Sequence, residues 1–483
     1  MYYTHHNLSD TIVALATPSG VGAIGVIRLS GKEAIHICAE VFKGKNLLKQ
    51  KSHTIHFGRI EDEQRRILDE VLVSLFIAPK SYTKENVIEV SCHGSPFILQ
   101  QLIQLFIRKG ARLAQPGEFT LRAFLNGQMD LSQAEAVADL IASDSESAHA
   151  IAMNQMRGGF SDAIKKLRQE LINFASLIEL ELDFGEEDVE FANRSELKKL
   201  VTHIHSLIHS LIQSFALGNV IKNGVNTVIA GRPNAGKSTL LNTLLNEERA
   251  IVSEIAGTTR DTIEEVLNIK GVQFRLIDTA GIREAQDQIE AIGVERTMEK
   301  VRFASLLVYL FDVTDTTLAE VHTDLKALTR KEIPYLVVCN KMDLLPVFHP
   351  EWLVNPEDPN IPEFFAGIPR LKNEIGLSTD QIVTLSAKNN QNIEWLKENL
   401  LYMVGTNGLN QQSVVVSNAR HYEALQKAYE SLGDVLTGLD RGVTNDFVAM
   451  DIRRSLQYLG EITGDITSDD LLGNIFSRFC IGK

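Results

Sequence analysis

The chain has 483 residues, 44% of them hydrophobic, too many for one ordinary core and enough for roughly three domains of typical size. Its 48 basic and 62 acidic side chains give a formal charge of -14, which excludes a general grip on phosphate backbones, so work on a nucleic acid needs a local patch or a partner. Cys38, Cys92, Cys339 and Cys480 are far apart with no C-x-x-C spacing, which excludes a disulfide framework and a thiolate zinc site and points to a reducing compartment.

The start, "MYYTHHNLSD", lacks a basic region followed by an apolar core. The run "FASLLVYLF" reads as the longest nearly uncharged one and falls short of the ~18 residues a membrane span needs. A cytoplasmic protein with no membrane partner is expected. Residues 1–127 alternate β-rich runs such as "GAIGVIRLS" and "VLVSLFIAP" with helical ones such as "SPFILQQLIQLFIRKG", so an α/β or α+β domain is expected. "GVGAIG", Gly20 to Gly25, fits G-x-G-x-x-G, but β-like "VIRLSG" follows it where dinucleotide binding needs a helix. Cys92 and His93 are adjacent on a strand and so point to opposite faces, against a nucleophile pair.

In residues 128–222 the period becomes helical: "LSQAEAVADLIASDSESAHAIAMNQM" opens with Ser132 and Glu135 at capping-box spacing, and helices are expected to about Ser214. His205 and His209 stand i, i+4, but Ser206 occupies the place of a zincin glutamate. The acidic run "ELELDFGEEDVE" reads as solvated helix ends and a loop. Residues 223–404 alternate short apolar strands with polar loops and helices, the pattern of a parallel sheet with crossovers. Residues 405–483 are helical again, so the sheet domain reads as an insertion into a helical one.

"GRPNAGKS", Gly231 to Ser238, fits G-x-x-x-x-G-K-[ST] between a strand and a helix. Backbone N–H groups there surround phosphates, Lys237 reaches the β and γ oxygens, and Ser238 ligates Mg²⁺. "NKMD", Asn340 to Asp343, follows a strand; its carboxylate accepts from guanine N1–H and the exocyclic amine, which adenine cannot match. "SAK", Ser386 to Lys388, completes the base pocket, and "DTAG", Asp278 to Gly281, adds a fourth motif in the order of a small GTPase. The GTP-binding set is thus Asn234, Ala235, Gly236, Lys237, Ser238, Thr239, the loop Ser253, Glu254, Ile255, Ala256, Gly257, Thr258, Thr259, then Asp278, Thr279, Ala280, Gly281, Asn340, Lys341, Asp343, Ser386, Ala387 and Lys388. Ile282 stands where Ras-like GTPases carry a water-orienting glutamine, so another group must do that work. Spacing leaves Glu284, Asp287 and Glu290 open for the water. For the charge, Asn234 and "SEIAGTTRD" resemble GTPases that use potassium in place of an arginine finger.

"GRPNAGKSTLLN", "IAGTTRD", "DTAGIRE" with its trailing "IE", "NKMD" and the terminal "FCIGK" together resemble the tRNA-modification GTPase family MnmE, also called TrmE, over nearly the full chain. The resemblance implies an α/β multidomain protein: an α/β (α+β) N-terminal folate-binding and dimerisation domain, a discontinuous helical domain, and an inserted P-loop Ras-like G domain. It implies a potassium-dependent GTPase, homodimeric, that works with the flavoprotein MnmG in a heterotetramer. Together they add an aminomethyl-type (carboxymethylaminomethyl) group to carbon 5 of the wobble uridine of tRNA, with FAD on the partner only. By that resemblance the catalytic residues are Glu290, which orients water, Lys237 and Thr259. Mg²⁺ falls to Ser238 and Thr259, and K⁺ to Asn234, Ser253, Ile255 and Thr258. Arg28, Glu89, Gln128 and Lys483 match the site for a tetrahydrofolate derivative (5-formyl or methylene form); Gln128 stands where lysine is common in the family, and Cys480 becomes a thiol near the modification site. A ribosome-assembly GTPase would share the G-domain motifs but usually brings a basic RNA-binding appendage or a second G domain, and this chain has neither.

Overall fold

The structure, a computed structural model, describes residues 9–183, 194–248, 264–278, 304–329, 333–345, 377–405 and 415–483. The chain forms two compact units, one of residues 1–142, 152–208 and 423–483, the other of residues 143–151 and 209–422.

In the first unit, β1 (Ile12–Leu15), β2 (Ile24–Ser30), β3 (Phe42–Gly44), β4 (Thr54–Glu61), β5 (Ile67–Phe76), β6 (Val87–His93) and β7 (Arg112–Leu113) form one sheet in the order β3-β4-β5-β6-β2-β1-β7. All its pairings are antiparallel except β1 with β7. Strand β4 alternates between exposed and buried side chains, as expected of a sheet covered on one face. The covered face packs on helices Ala34–Val41 and Pro96–Arg108, whose Ile37, Cys38, Leu102 and Phe106 enter the core. Ile55, Phe57 and Leu72 remain exposed. This is the α+β alternative of the expected pair. "GVGAIG" is followed by strand β2 with no helix, which removes the dinucleotide reading.

The same unit contains helices Leu131–Ala142, Gly159–Asp183, Ala419–Arg441 in part, Asn445–Thr463 and Asp469–Phe476. The expected capping box at Ser132 and Glu135 is displaced by two residues. Asp130 Oδ1 accepts from Gln133 N and Gln133 Oε1 accepts from Asp130 N, each at 3.0 Å, while Ser132 lies inside the helix with its hydroxyl on Gln155. Helix Arg194–Asn223 overruns the expected end near Ser214. By length and composition alone it is apolar enough to cross a membrane, at mean hydropathy 1.2, so "FASLLVYLF" is not the longest such run. It inserts Val201, Ile204 and Ile208 into protein at helical spacing, and His205 stacks on Tyr429 with centroids 3.8 Å apart, as an ordinary helix face would. No group of three metal-ligating side chains occurs among the described residues.

The second unit is built on β8 (Val225–Ala230), β9 (Glu264–Ile269), β10 (Val272–Asp278), β11 (Leu306–Asp312), β12 (Tyr335–Asn340) and β13 (Ile382–Thr384), in the order β13-β12-β11-β8-β10-β9. Only β9 is antiparallel to its neighbour. Every residue of β11 and β12 is buried, because a parallel sheet is covered on both faces. The carboxyl ends of β8, β10, β11, β12 and β13 therefore share one edge, and the motifs follow those ends.

Candidate functional site

The phosphate loop leaves β8 and enters helix Lys237–Glu248. Two conformations set its shape. Asn234 takes the left-handed region at φ 61°, and Gly236 lies at φ 97°, where a Cβ would stand 2.3 Å from Asn340 Nδ2. Lys237 Nζ donates to the carbonyls of Gly231 and Arg232, the latter at 2.8 Å, so the loop closes around its own ammonium group. Asn234, Ser238 and Thr239 are not buried, and Ala235 is buried beneath them.

Asn340 joins the loop to the base motifs. Its Nδ2 donates to Ala235 O at 2.8 Å and its Oδ1 accepts from Ala387 N at 3.1 Å, with the side chain buried. Thr243 Oγ1 donates to Ala387 O at 2.9 Å, tying helix Lys237–Glu248 to the same segment. Ser386 is fully buried and bridges to Gln391, and Lys388 is exposed. Lys341, at φ 64°, donates to Asp312 Oδ2. Burial pushes the Asp312 carboxyl up, but hydrogen bonds from Lys341 and Thr314 outweigh it and hold the group below the usual carboxylate range. Asp343 is half-buried. Asp278 ends β10 at the same edge.

The structure thus brings together Asn234 to Thr239, Asn340 to Asp343 and Ser386 to Lys388, with the end of β10 beside β8. Ser253, Glu254, Ile255, Ala256, Gly257, Thr258, Thr259, Thr279, Ala280, Gly281 and Glu290 lie outside the described residues. So do the alternatives Glu284 and Asp287. Asp312, Thr243 and Arg232 were missed in the sequence. Asp312 had a signal: it is the last residue of an apolar strand in a sheet whose other strand ends carry the motifs.

In the first unit, Arg28 on β2 faces Glu89 on β6 across an antiparallel pair. Arg28 Nε donates to Glu89 Oε1 at 2.8 Å and Nη1 to Gly482 O at 3.1 Å. Its guanidinium lies 5.7 Å from the ring centres of both Tyr82 and Phe119. The tail reaches this point through buried Phe476 and Phe479 and a bridge between Ile481 and Pro116. Gly482, at φ 99°, has no room for a Cβ, which would stand 2.2 Å from Leu15 O. Burial and then Arg28 lower the Lys483 ammonium below its ordinary value. Gln128 is exposed in the turn after helix Glu118–Leu125, with its N–H on Ala123 O, and it shares no hydrogen bond with Arg28, Glu89 or Lys483. Cys480 is exposed. Cys92 is buried, donates to Gly25 O and is pushed up to about 11 by burial first and Asp69 second, while neighbouring His93 faces outward, so the two do not form a nucleophile pair.

Residues 131–480 match the model of the MnmE helical domain, and residues 11–128 that of the GTP-binding protein TrmE N-terminus. The tRNA modification GTPase MnmE of Cytophaga hutchinsonii is 58% identical over 99% of this chain and 98% of its own. That of Christiangramia forsetii is 54% identical over 99% of this chain and 100% of its own. A crystal structure of Aquifex aeolicus Era aligns at 26% identity over 43% of this chain and 66% of its own, with a TM-score of 0.27, too loose a likeness to argue from. On the family model and the end-to-end identity of its relatives, this GTP hydrolase belongs to the tRNA modification GTPase MnmE family.

Proposed function

We propose that the chain is a potassium-stimulated GTPase that acts with the flavoprotein MnmG to build the aminomethyl-type substituent on carbon 5 of the tRNA wobble uridine. The observation that carries the nucleotide part is the pair of hydrogen bonds made by Asn340, which fixes the phosphate loop against the segment that borders the base. Lys237 leaves the Gly231 and Arg232 carbonyls for the β and γ oxygens, and the N–H groups of the loop and helix N-terminus add positive potential. Asp343 selects guanine by accepting its two donors.

Ser238 offers an accessible hydroxyl in the first helical turn, suited to Mg²⁺ with Thr259. Asn234 is exposed and makes no hydrogen bond among the described residues, so its carboxamide oxygen is available as a hard neutral ligand for K⁺ with Ser253, Ile255 and Thr258. Glu290 orients water for attack on the γ-phosphorus. Domain roles follow: residues 1–127 for folate and dimerisation, 128–222 and 405–483 for the helical domain, and 223–404 for GTP.

Arg28, Glu89 and Lys483 suit a tetrahydrofolate derivative: the Arg28 cation lies by the Tyr82 and Phe119 rings and bonds the Glu89 acceptor, and the Lys483 ammonium is near enough to feel both charges. When bound, that group supplies the one-carbon unit. The residues hold it, and the C-terminal residues complete the wall; FAD resides on MnmG, in a cytoplasmic heterotetramer with the homodimer at its centre, and MnmG carries most of the tRNA grip. GTP turnover measured at equal ionic strength should rise at least about tenfold when potassium replaces sodium, in line with a cation standing in for an arginine finger. Equal rates in the two salts contradict the potassium assignment.

A further inference from the structure

Arg232, the second residue of the phosphate loop, places its side chain on two carboxylates. Its Nε donates to Asp324 Oδ2 at 2.8 Å, its Nη2 to Asp324 Oδ1 at 3.2 Å, and its Nη1 to Glu320. Both carboxylates belong to helix Leu318–Leu328, and Glu320 also closes that helix's capping box with Thr317. Asp324 is fixed from below by Tyr309 of β11, whose hydroxyl donates to Oδ2 at 2.7 Å. Burial raises the Tyr309 hydroxyl first and the bond to Asp324 raises it further, so it stays a donor.

The peptide of Arg232 is therefore held on both sides. Its side chain is forked onto the helix, and its carbonyl accepts from Lys237 Nζ at 2.8 Å and from Ala235 N at 3.3 Å. Gly231 seals the same junction from behind, since a Cβ there would stand 2.1 Å from Leu310 O. A planar guanidinium suits this two-point hold in a way a lysine does not. The two partners are over a third and about a fifth exposed, at 37% for Arg232 and 22% for Asp324. An exposed pair of this kind adds little to global stability, so its effect is expected to be local.

We propose that Arg232, Asp324 and Tyr309 form a latch that orients the 232 carbonyl and so presets the phosphate loop and Lys237 for the nucleotide. Arg232 is a positioning residue and acts through the loop. The latch serves ground state and transition state alike, so its loss should raise KM and nucleotide Kd with little change in kcat.

The test uses the full-length protein and measures GDP and GTP affinity by stopped-flow with a fluorescent guanine nucleotide, steady-state kcat and KM, and thermal unfolding. Arg232→Gln and Asp324→Asn should each weaken both nucleotides about tenfold with kcat within twofold. The double variant should be no weaker than either single one, because both remove the same fork. Arg232→Lys should recover part of the loss and Tyr309→Phe should cost about two- to threefold. A lowered melting temperature with unchanged Kd overturns the proposal, as does strict additivity in the double variant or a fall in kcat alone. Asp324→Asn and Tyr309→Phe preserve side-chain shape and keep the test valid if the arginine variant fails to fold.

Discussion

The Asn340 carboxamide uses both of its ends, donating a hydrogen bond to the Ala235 carbonyl and accepting one from the Ala387 amide. Three residues on comes the half-buried Asp343, whose carboxylate is proposed to accept two guanine donors. Replacing it with asparagine removes the charge and turns one acceptor into a donor, which matches xanthine and opposes guanine. Asp343→Asn should weaken GTP by about 100-fold, the size of losing a charged hydrogen-bond pair, and gain xanthosine triphosphate. Unchanged GTP affinity in a competition titration contradicts the guanine assignment. The motif residues were readable because their spacing is local. Arg232, Asp324 and Tyr309 were not, since their contacts join residues 92 and 15 apart in sequence and no period announces them.

Helix Glu118–Leu125 shows how an element is held by charge as well as by apolar contacts. Glu118 is buried, takes two bonds from Arg112 and one from Arg122, and accepts from the Gln115 amide. Burial alone would raise its carboxyl, but these bonds outweigh it and lower it from the ordinary 4.5. The stability it contributes is therefore fully present above that value and is lost as pH falls through the lower native value. Glu118→Gln should cost about 3 kcal/mol at neutral pH by leaving Arg122 buried and short of a counter-charge, and the gap to the parent should narrow on acidification. A constant gap in urea titrations from pH 7 to 3 contradicts this. At the same scale, the sequence showed strands and helices correctly in kind, yet placed the helix start at Ser132 and Glu135 when Asp130 and Gln133 form the box. Both pairs have the required spacing; the side chain of Ser132 goes instead to Gln155, a contact 23 residues away. Helix Arg194–Asn223 ran past Ser214 because from Thr202 to Asn219 its polar residues are the uncharged Thr, His, Ser, Gln and Asn, which blur the apolar stripe without ending it.

At the scale of the whole molecule, the two ends of the chain meet: Arg28 and Gly482 are 454 residues apart and share a hydrogen bond. The terminal "FCIGK" is thereby part of the N-terminal domain's Arg28 and Glu89 cluster, with Gly482 pressed against Leu15 and Cys480 left exposed beside it. Resemblance in sequence pointed to this pairing; the residues themselves, read alone, left the tail unexplained, since chain-end contacts leave no local pattern. GTP hydrolysis at one site and one-carbon chemistry at the other are joined in a single proposal, that this chain modifies the wobble uridine. The most direct measurement is mass spectrometry of tRNA nucleosides from cells lacking the protein, with the gene restored in parallel as wild type or as Lys237→Ala. The carbon-5 aminomethyl-type nucleosides should vanish on deletion, return with wild type and stay absent with Lys237→Ala; an unaltered wobble-uridine profile in the deleted cells would contradict the account.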